Sequence, residues 1–462
     1  MRLYPAFLFC VCVWVLTLSS CREDRFEPNA DIELRFETDS LLFDTVFTTV
    51  GSITKRFKVF NPTNRNLLID EVFLGGRRLS GNSAYRLNIN GIASNDVKGV
   101  ELLANDSLYI FVEVTIDPNS ANTPFIVSDS VVFRSGSRLG KVYLEAFGQN
   151  AIFYNSQVLP CNMVWTADKP IVVYNSVLVD SLCKLTIEAG TRIFFNKNSS
   201  LFVLGTLEVN GTETNPVTFR GDRLDPFYRD LAGAWNGIHF LVGSVNNLIS
   251  NAELFNGNVG VRADSLPVSG TAPNVVLNKV IIDNFAIVGL LGFTARITAD
   301  NTMVTNCGLY NFLGDFGGDY RFRHCTFANF STGFSRSFPL FALSNRNLNN
   351  QANGANLELR NSIVWGTRQE EFVLDTAGTG GFDAQLSHSI LRTQRNPSPG
   401  GSLIFENPRF REPADKDFRI DTLSPAFGAG QNLVPQYPQL ATDLFGQQRS
   451  ITPTLGAIER IE

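Results

Sequence analysis

Six positions of this chain align into one column: Asn251, Asn278, Asn301, His324, Asn361 and His388, spaced 27, 23, 23, 37 and 27 residues apart. Three residues on, the column reads Leu254, Ile281, Val304, Phe327, Val364 and Leu391, all large and apolar. One residue on, it reads Ala252, Lys279, Thr302, Cys325, Ser362 and Ser389, mostly small. Five residues on stand Asn256, Asp283, Asn306, Asn329, Gly366 and Thr393, mostly turn-formers that tolerate left-handed backbone. A period of 23 to 27 residues with strand chemistry is the length of one coil of a parallel β-helix. Successive coils lay strand on strand, so like side chains stack. Stacked Asn can hydrogen-bond up and down such a column. The spacing of 37 marks an insertion, about residues 331–355, with the polar run Asn345–Asn350 as a projecting loop.

Composition agrees. The chain has 462 residues, enough for two or three domains. It holds 42 Asn and 37 Gly, and only 18% of its residues are charged. Such a chain favours strands and tight turns. A net charge of −5 gives no basic excess, which excludes a nucleic-acid partner. Three His leave little material for a His-built metal site, and none is expected.

Residues 1–20 read as a signal peptide: Arg2 precedes the apolar stretch Phe7–Leu16, which is too short for an ordinary membrane span. The stretch ends in Leu18-Ser19-Ser20-Cys21, which resembles a bacterial lipobox. That resemblance implies lipidation of Cys21, and acyl chains anchor a protein stably to a bilayer. Arg22-Glu23-Asp24 resembles the export signal of Bacteroidota surface lipoproteins. Residues 21–30 are then a lipidated tether, and the expected location is the outer membrane, facing the exterior. Export permits disulfides, and Cys161 with Cys183 is a candidate bridge. Cys307 and Cys325 fall in different columns and are expected to stay apart.

Residues 31–149 alternate short strands and turns, as in Ile32–Phe36, Thr54–Phe60 and Leu108–Val114. Seven or so strands in that length suggest an immunoglobulin-like β-sandwich. Phe43-Asp44-Thr45-Val46, Phe57–Pro62 and Val112–Pro118 resemble Ig-like domains of the ASPM/SPD-2/Hydin kind, which implies a spacer or interaction module.

Residues 150–400 carry the repeats. Leu185–Phe195, Leu201–Thr212, Asn215–Phe219 and Gly233–Ile238 closely resemble the opening coils of right-handed β-helix proteins of the pectate-lyase-like superfamily. Ser424–Gly430, Asp443–Gly446, Arg449 and Leu455–Glu459 resemble the closing segment of secreted bacterial β-helix proteins. Phe427-Gly428 departs from the usual Ile-Asp there. Residues 401–462 are therefore read as a C-terminal cap on the open stack. The fold expectation is an all-β chain: an N-terminal immunoglobulin-like sandwich followed by a right-handed parallel β-helix.

Many members of that superfamily cleave acidic polysaccharides. A lyase there uses a basic residue with Ca²⁺ or Arg, and a hydrolase uses paired carboxylates. The candidate cluster is Asp315, Asp319, Arg321, Arg323 and His324, which could bind Ca²⁺ and an acidic sugar; a Gly-rich turn with solvated charges is the plainer reading. Asp222, Asp225 and Tyr228 form a second polar loop, a candidate glycan contact or a salt-bridged turn. Glu370, Glu371 and Asp375 form a third, and His239, on an apparent strand, reads as a structural or surface residue. Eight Asp-Ser/Thr tripeptides, beginning at Asp39, Asp44, Asp106, Asp129, Asp180, Asp264, Asp375 and Asp421, resemble a Bacteroidota O-glycosylation motif, and also suit turn chemistry. Fold does not confer activity. The reading leans to a non-catalytic surface protein that binds glycan or protein or is structural. The alternative is a lyase or hydrolase of acidic glycans, and Ca²⁺ belongs to that alternative only.

Overall fold

Strands form where apolar and polar residues alternate, and Ser107–Val114 shows the pattern, with Leu108, Ile110, Val112 and Val114 buried and the others outward. A computed structural model describes residues 25–28, 31–119, 122–225, 227–265, 272–347, 349–377, 379–395 and 400–461. The signal stretch 1–20, Cys21 and the acidic tail to Asp24 lie outside the described residues. The chain divides into two compact units between Asn150 and Ala151.

The first unit is a sandwich of two five-stranded sheets. One holds Lys55–Phe60, Ser107–Val114 and Tyr85–Ile89, with short edge strands at Arg35–Phe36 and Ile92–Ala93. The other holds Ser40–Phe47, Arg138–Gln149, Phe125–Ser135, Leu67–Leu74 and Asp96–Leu102. Ten strands stand where about seven were expected. Apolar packing holds them: Phe43, Phe57, Tyr85 and Phe133 are wholly buried. The Tyr85 hydroxyl, forced inside with its ring, donates to the Val127 carbonyl at 2.8 Å.

The second unit is a parallel β-helix. Among the described residues, 25 of its strands form one continuous ladder that bends into three stacked sheets, here A, B and C in the order the chain visits them. Sheet A includes Lys184–Glu188, Thr206–Asn210, Arg296–Asp300, Gly318–Arg323, Ala355–Arg360 and Phe382–Ser387. Sheet B includes Arg192–Phe195, Val217–Gly221, Met303–Thr305, Thr326–Asn329 and Ile363–Gly366. Sheet C includes Ser200–Val203, Gly237–Phe240, Val259–Asp264, Val288–Phe293, Tyr310–Asp315, Phe341–Ser344 and Phe372–Asp375. Asn247–Phe255 and Val275–Asp283 each run through a corner and serve both A and B. The disulfide Cys161–Cys183 ties neighbouring coils near the start, with Cα atoms 4.6 Å apart. Cys307 and Cys325 are buried and free.

The repeat columns acquire physical causes here, and one coil shifts. Ser250 pairs with Asn278, and Ala252 with Val280, so Lys279 stands opposite Asn251. The true column is Asn251, Lys279, Asn301, His324, Asn361 and His388. Each has φ between 46° and 55°, the left-handed turn from sheet A to sheet B. Asn and His enter that region more readily than most residues, which explains why His stands in for Asn. The apolar column likewise becomes Leu254, Ile282, Val304, Phe327, Val364 and Leu391, all at 0% exposure in the core.

The stacked Asn ladder is found only in part. Asn361 and His324 side chains meet at 2.8 Å. Asn301 and Asn361 otherwise bond to residues far along the chain: Asn301 Nδ2 donates to the Thr442 carbonyl at 3.0 Å, and Asn361 Nδ2 to the Gln431 carbonyl at 2.7 Å. The regular side-chain ladder runs one residue on. Ser362 Oγ accepts from Cys325 N at 3.0 Å, Ser389 Oγ from Ser362 N at 3.1 Å, and Ser402 Oγ from Ser389 N at 3.1 Å. A hydroxyl suits this place because it accepts and donates at once: Ser362 Oγ also donates to the Arg360 carbonyl at 2.8 Å.

The C-terminal segment differs from the cap expected of 401–462. After Leu403–Ile404 pairs with sheet B, the chain runs back along the flank of the stack as a strap. Phe418, Ile420, Leu444, Leu455 and Ala457 pack with Met303, Ala328, Ile363, Trp365 and Ile390 on the outer side of sheet B. Lys416 Nζ reaches Asp283 at 2.7 Å, and Gln439 Nε2 reaches Asp300 at 2.7 Å. Arg449 is the anchor. Its guanidinium is 1% exposed, pairs with Glu459 at 3.0 Å and donates to Asn301 Oδ1 at 2.8 Å. The left-handed corners turn Asn301 and Asn361 toward the strap, which satisfies them.

Candidate functional site

The strap covers the outer side of sheet B, while sheet C keeps an outer face that reaches solvent. Strand register sets one row of that face as Phe202, His239, Arg262, Leu291, Leu313, Ala342 and Val373. A parallel row holds Asp264, Phe293, Asp315, Ser344 and Asp375. All but the exposed Arg262 are half-buried. Coils rise by about 4.8 Å, so the carboxylates at every second strand recur at roughly 10 Å.

The carboxylates differ in what holds them. Asp264 accepts from His239 Nε2 at 2.7 Å and from Arg262 at 2.8 Å. These bonds and charges outweigh burial and hold its carboxyl below the ordinary range. Asp375 accepts from Arg346 at 3.0 Å and from Ser344 Oγ at 3.2 Å, and is likewise held low against the opposing effect of burial. Asp315 has no ion-pair partner among the described residues, and burial pushes its carboxyl up. The Phe293 and Phe316 rings lie 5.9 Å apart beside this row.

The sequence cluster from Asp315 to His324 does not converge. Phe316, Gly317 and Gly318 have φ of 57°, 80° and 124°, and turn the chain from sheet C to sheet A. A Cβ at Gly317 would overlap the Gly354 carbonyl oxygen, so the corner requires glycine. Asp315 therefore lies on face C, while Asp319 and Arg321 lie on the outer side of sheet A, paired at 3.0 Å. Arg323 is buried, joined to Asp300 at 2.7 Å, with its guanidinium 3.8 Å from the Tyr437 ring centre of the strap. His324 is buried in the A–B corner; burial, and then Arg449, hold its pKa well below the ordinary value. Arg323 and His324 are packing residues.

The second loop is closed on itself. Asp222 accepts from Asn196 at 2.8 Å, and burial raises its pKa. Arg223 lies 3.4 Å from Asp225 and 3.5 Å from the Tyr228 ring centre. The third cluster splits: Glu371 is wholly buried and accepts two bonds from Arg336 at 2.5 Å each. His239, read as a structural or surface residue, lies half-buried on face C and is oriented by Asp264. Its signal in the sequence was the alternation of Ile238-His239-Phe240, which turns it outward between two core residues. Among the described residues, no group of three or more His, Cys, Asp or Glu could hold a metal ion. Asp44, Asp106, Asp129 and Asp180 each accept the N–H of the next residue at 2.7 Å, which gives half of the Asp-Ser/Thr tripeptides a shared turn geometry.

Comparison with known proteins adds little. No family model matches the chain, and no curated protein matches it. Among solved structures, the chain is similar to a family 123 glycoside hydrolase from Clostridium perfringens, studied for glycolipid glycan hydrolysis. The identity is 6% and the TM-score 0.18, over 26% of each chain. The match thus spans about a quarter of that enzyme, and at such a score it supports no conclusion about fold or activity.

Proposed function

We propose that this protein is a non-catalytic surface lipoprotein, anchored through Cys21 in the outer membrane, whose β-helix binds extended glycans along face C. The observation that carries the reading is the pair of rows on that face. Leu291, Leu313, Ala342 and Val373 offer an apolar track for sugar rings, and Phe293, Asp315 and Ser344 beside it offer ring and hydroxyl contacts. A carboxylate without an ion-pair partner, such as Asp315, accepts sugar hydroxyls well. Two-carboxylate hydrolysis needs a proton donor and a base free to work on one bond. On this face Asp264 and Asp375 are held by their own cations, which favours binding over turnover. The sandwich unit serves as spacer.

One observation favours the enzyme alternative. His239 is set by Asp264 through Nε2 and reaches solvent, as a general base would. A glycan array on the full protein, with an assay for unsaturated or shortened products, separates the readings. Binding lost in Asp315→Ala and Phe293→Ala without product formation is expected. Turnover abolished by His239→Ala would replace binding with catalysis. Labelled palmitate entering wild type and not Cys21→Ser tests the anchor.

A further inference from the structure

One end of the sandwich unit forms a rigid rim. The turns 61–66 and 103–106 meet there, joined by Asn61 N to the Asp106 carbonyl and Asn105 N to the Thr63 carbonyl, both at 2.9 Å. Asn61 is buried, and its Nδ2 donates to the Arg65 carbonyl at 2.7 Å and the Leu103 carbonyl at 2.9 Å. Asn66 Oδ1 accepts the Ala104 N–H at 3.0 Å. The rim thus holds Leu103 out to solvent, 43% exposed, and Pro62 on the facing turn is exposed too. Ile92, also exposed, belongs to the nearby hairpin whose tip residue Asn90 donates to the Tyr109 carbonyl at 3.2 Å. Charges of both signs mix at this end: Arg65 pairs with Glu27 at 2.8 Å, and the Arg35 guanidinium lies 4.5 Å from the Phe60 ring centre.

Glu27 ties the start of the chain to the same end. Its N–H donates to the Asn66 carbonyl at 3.0 Å, and its carbonyl accepts from Leu68 N at 3.1 Å. Glu27 stands six residues after Cys21, and six residues fully extended reach about 20 Å. A lipid on Cys21 therefore keeps the rim within that reach of the bilayer, at an effective concentration at which a weak contact persists. Strand Arg138–Gln149 runs from near this end to the opposite one, where the chain leaves the sandwich at Asn150.

We propose that this rim rests on the lipid surface, with Leu103 entering the headgroup layer and the sandwich standing on that end. Leaving water is what an exposed Leu gains there. The mixed charges of the rim make the contact apolar and not electrostatic. This rests on the anchor reading above and adds which surface meets the membrane.

The test uses the full acylated protein in phosphatidylcholine vesicles, with a dye on Asn64→Cys at the rim or on Thr123→Cys at the opposite end. Both positions are exposed, and Thr123 precedes Phe125, which pairs with Gly148. The dye at 64 is expected to be quenched by nitroxide-labelled lipid and shielded from iodide in the water, at low and high salt alike. The dye at 123 is expected to show the reverse. Leu103→Asp is expected to return the dye at 64 to iodide while the protein stays on the vesicles through its lipid. A dye at 64 as open to iodide as the one at 123, on vesicle-bound protein, would overturn the inference and leave the anchor standing. Lipid quenching lost at high salt, or kept in Leu103→Asp, would overturn the apolar contact through Leu103. Protein that carries no lipid and stays off the vesicles would overturn the anchor and the inference together.

Discussion

The outer sides of sheets B and C have the same backbone and opposite fates. On B, Ile363 is 1% exposed and Ala328 0%, because the strap lies over them. On C, Leu291, Leu313 and Val373 occupy matching outward positions and stay half-exposed. The difference comes from what stands at the edges. Sheet B begins at the left-handed corners, whose Asn and Lys side chains reach out and anchor a passing chain. Sheet C ends in a row of carboxylates and rings that the strap leaves free. In this coil one outer side is covered by the strap and another is left to solvent.

That contrast breaks most easily at its anchor. Arg449→Ala leaves Glu459 buried without its cation, at a cost of about 3–5 kcal/mol. Thermal melting should show the loss, and proteolysis should cleave first between 405 and 461. Next, Ile363→Ala under the strap should cost about 2–5 kcal/mol, while Leu313→Ala at the matching, half-buried position on face C should cost only about 1 kcal/mol. Equal losses at both positions would show that face C is covered too. Ser362→Ala strips the buried Cys325 N–H of its acceptor, at about 1–3 kcal/mol by denaturant titration.

A further effect is one of pH. His324 stays neutral when folded, its pKa depressed by burial and then by Arg449. Above about pH 6.5 neither state is protonated there, and stability is complete. Below it the unfolded chain takes a proton that the folded chain refuses. Stability should therefore fall by up to about 1.4 kcal/mol per pH unit down to the folded pKa. His324→Asn keeps the left-handed corner and should flatten that acid limb in melts from pH 7 to 5.

Much of this was legible in the residues. The apolar column reads directly, because one large side chain per coil must enter the core. The slip at Asn278 arose because residue type was matched across a coil of 28 residues, where backbone position belongs to Lys279. The Ser ladder was visible only as a run of small residues, since hydrogen-bond direction is not written in composition. The strap was read as an end cap, because its polar anchors on the stack lie far back along the chain, 70 residues for Gln431 to Asn361 and 131 for Ala457 N to Thr326 Oγ1. The site cluster failed for a local reason: ten adjacent residues pass around a corner, so neighbours in sequence point to different faces.

Hydrogen exchange on the full protein, with and without the strongest ligand from a glycan array, tests the central claim most directly. The account predicts new protection at Val288–Phe293 and Tyr310–Asp315 on face C, with the strap from 405 to 461 unchanged. Protection confined to the strap or the sandwich unit, or consumption of the ligand during the measurement, would contradict it.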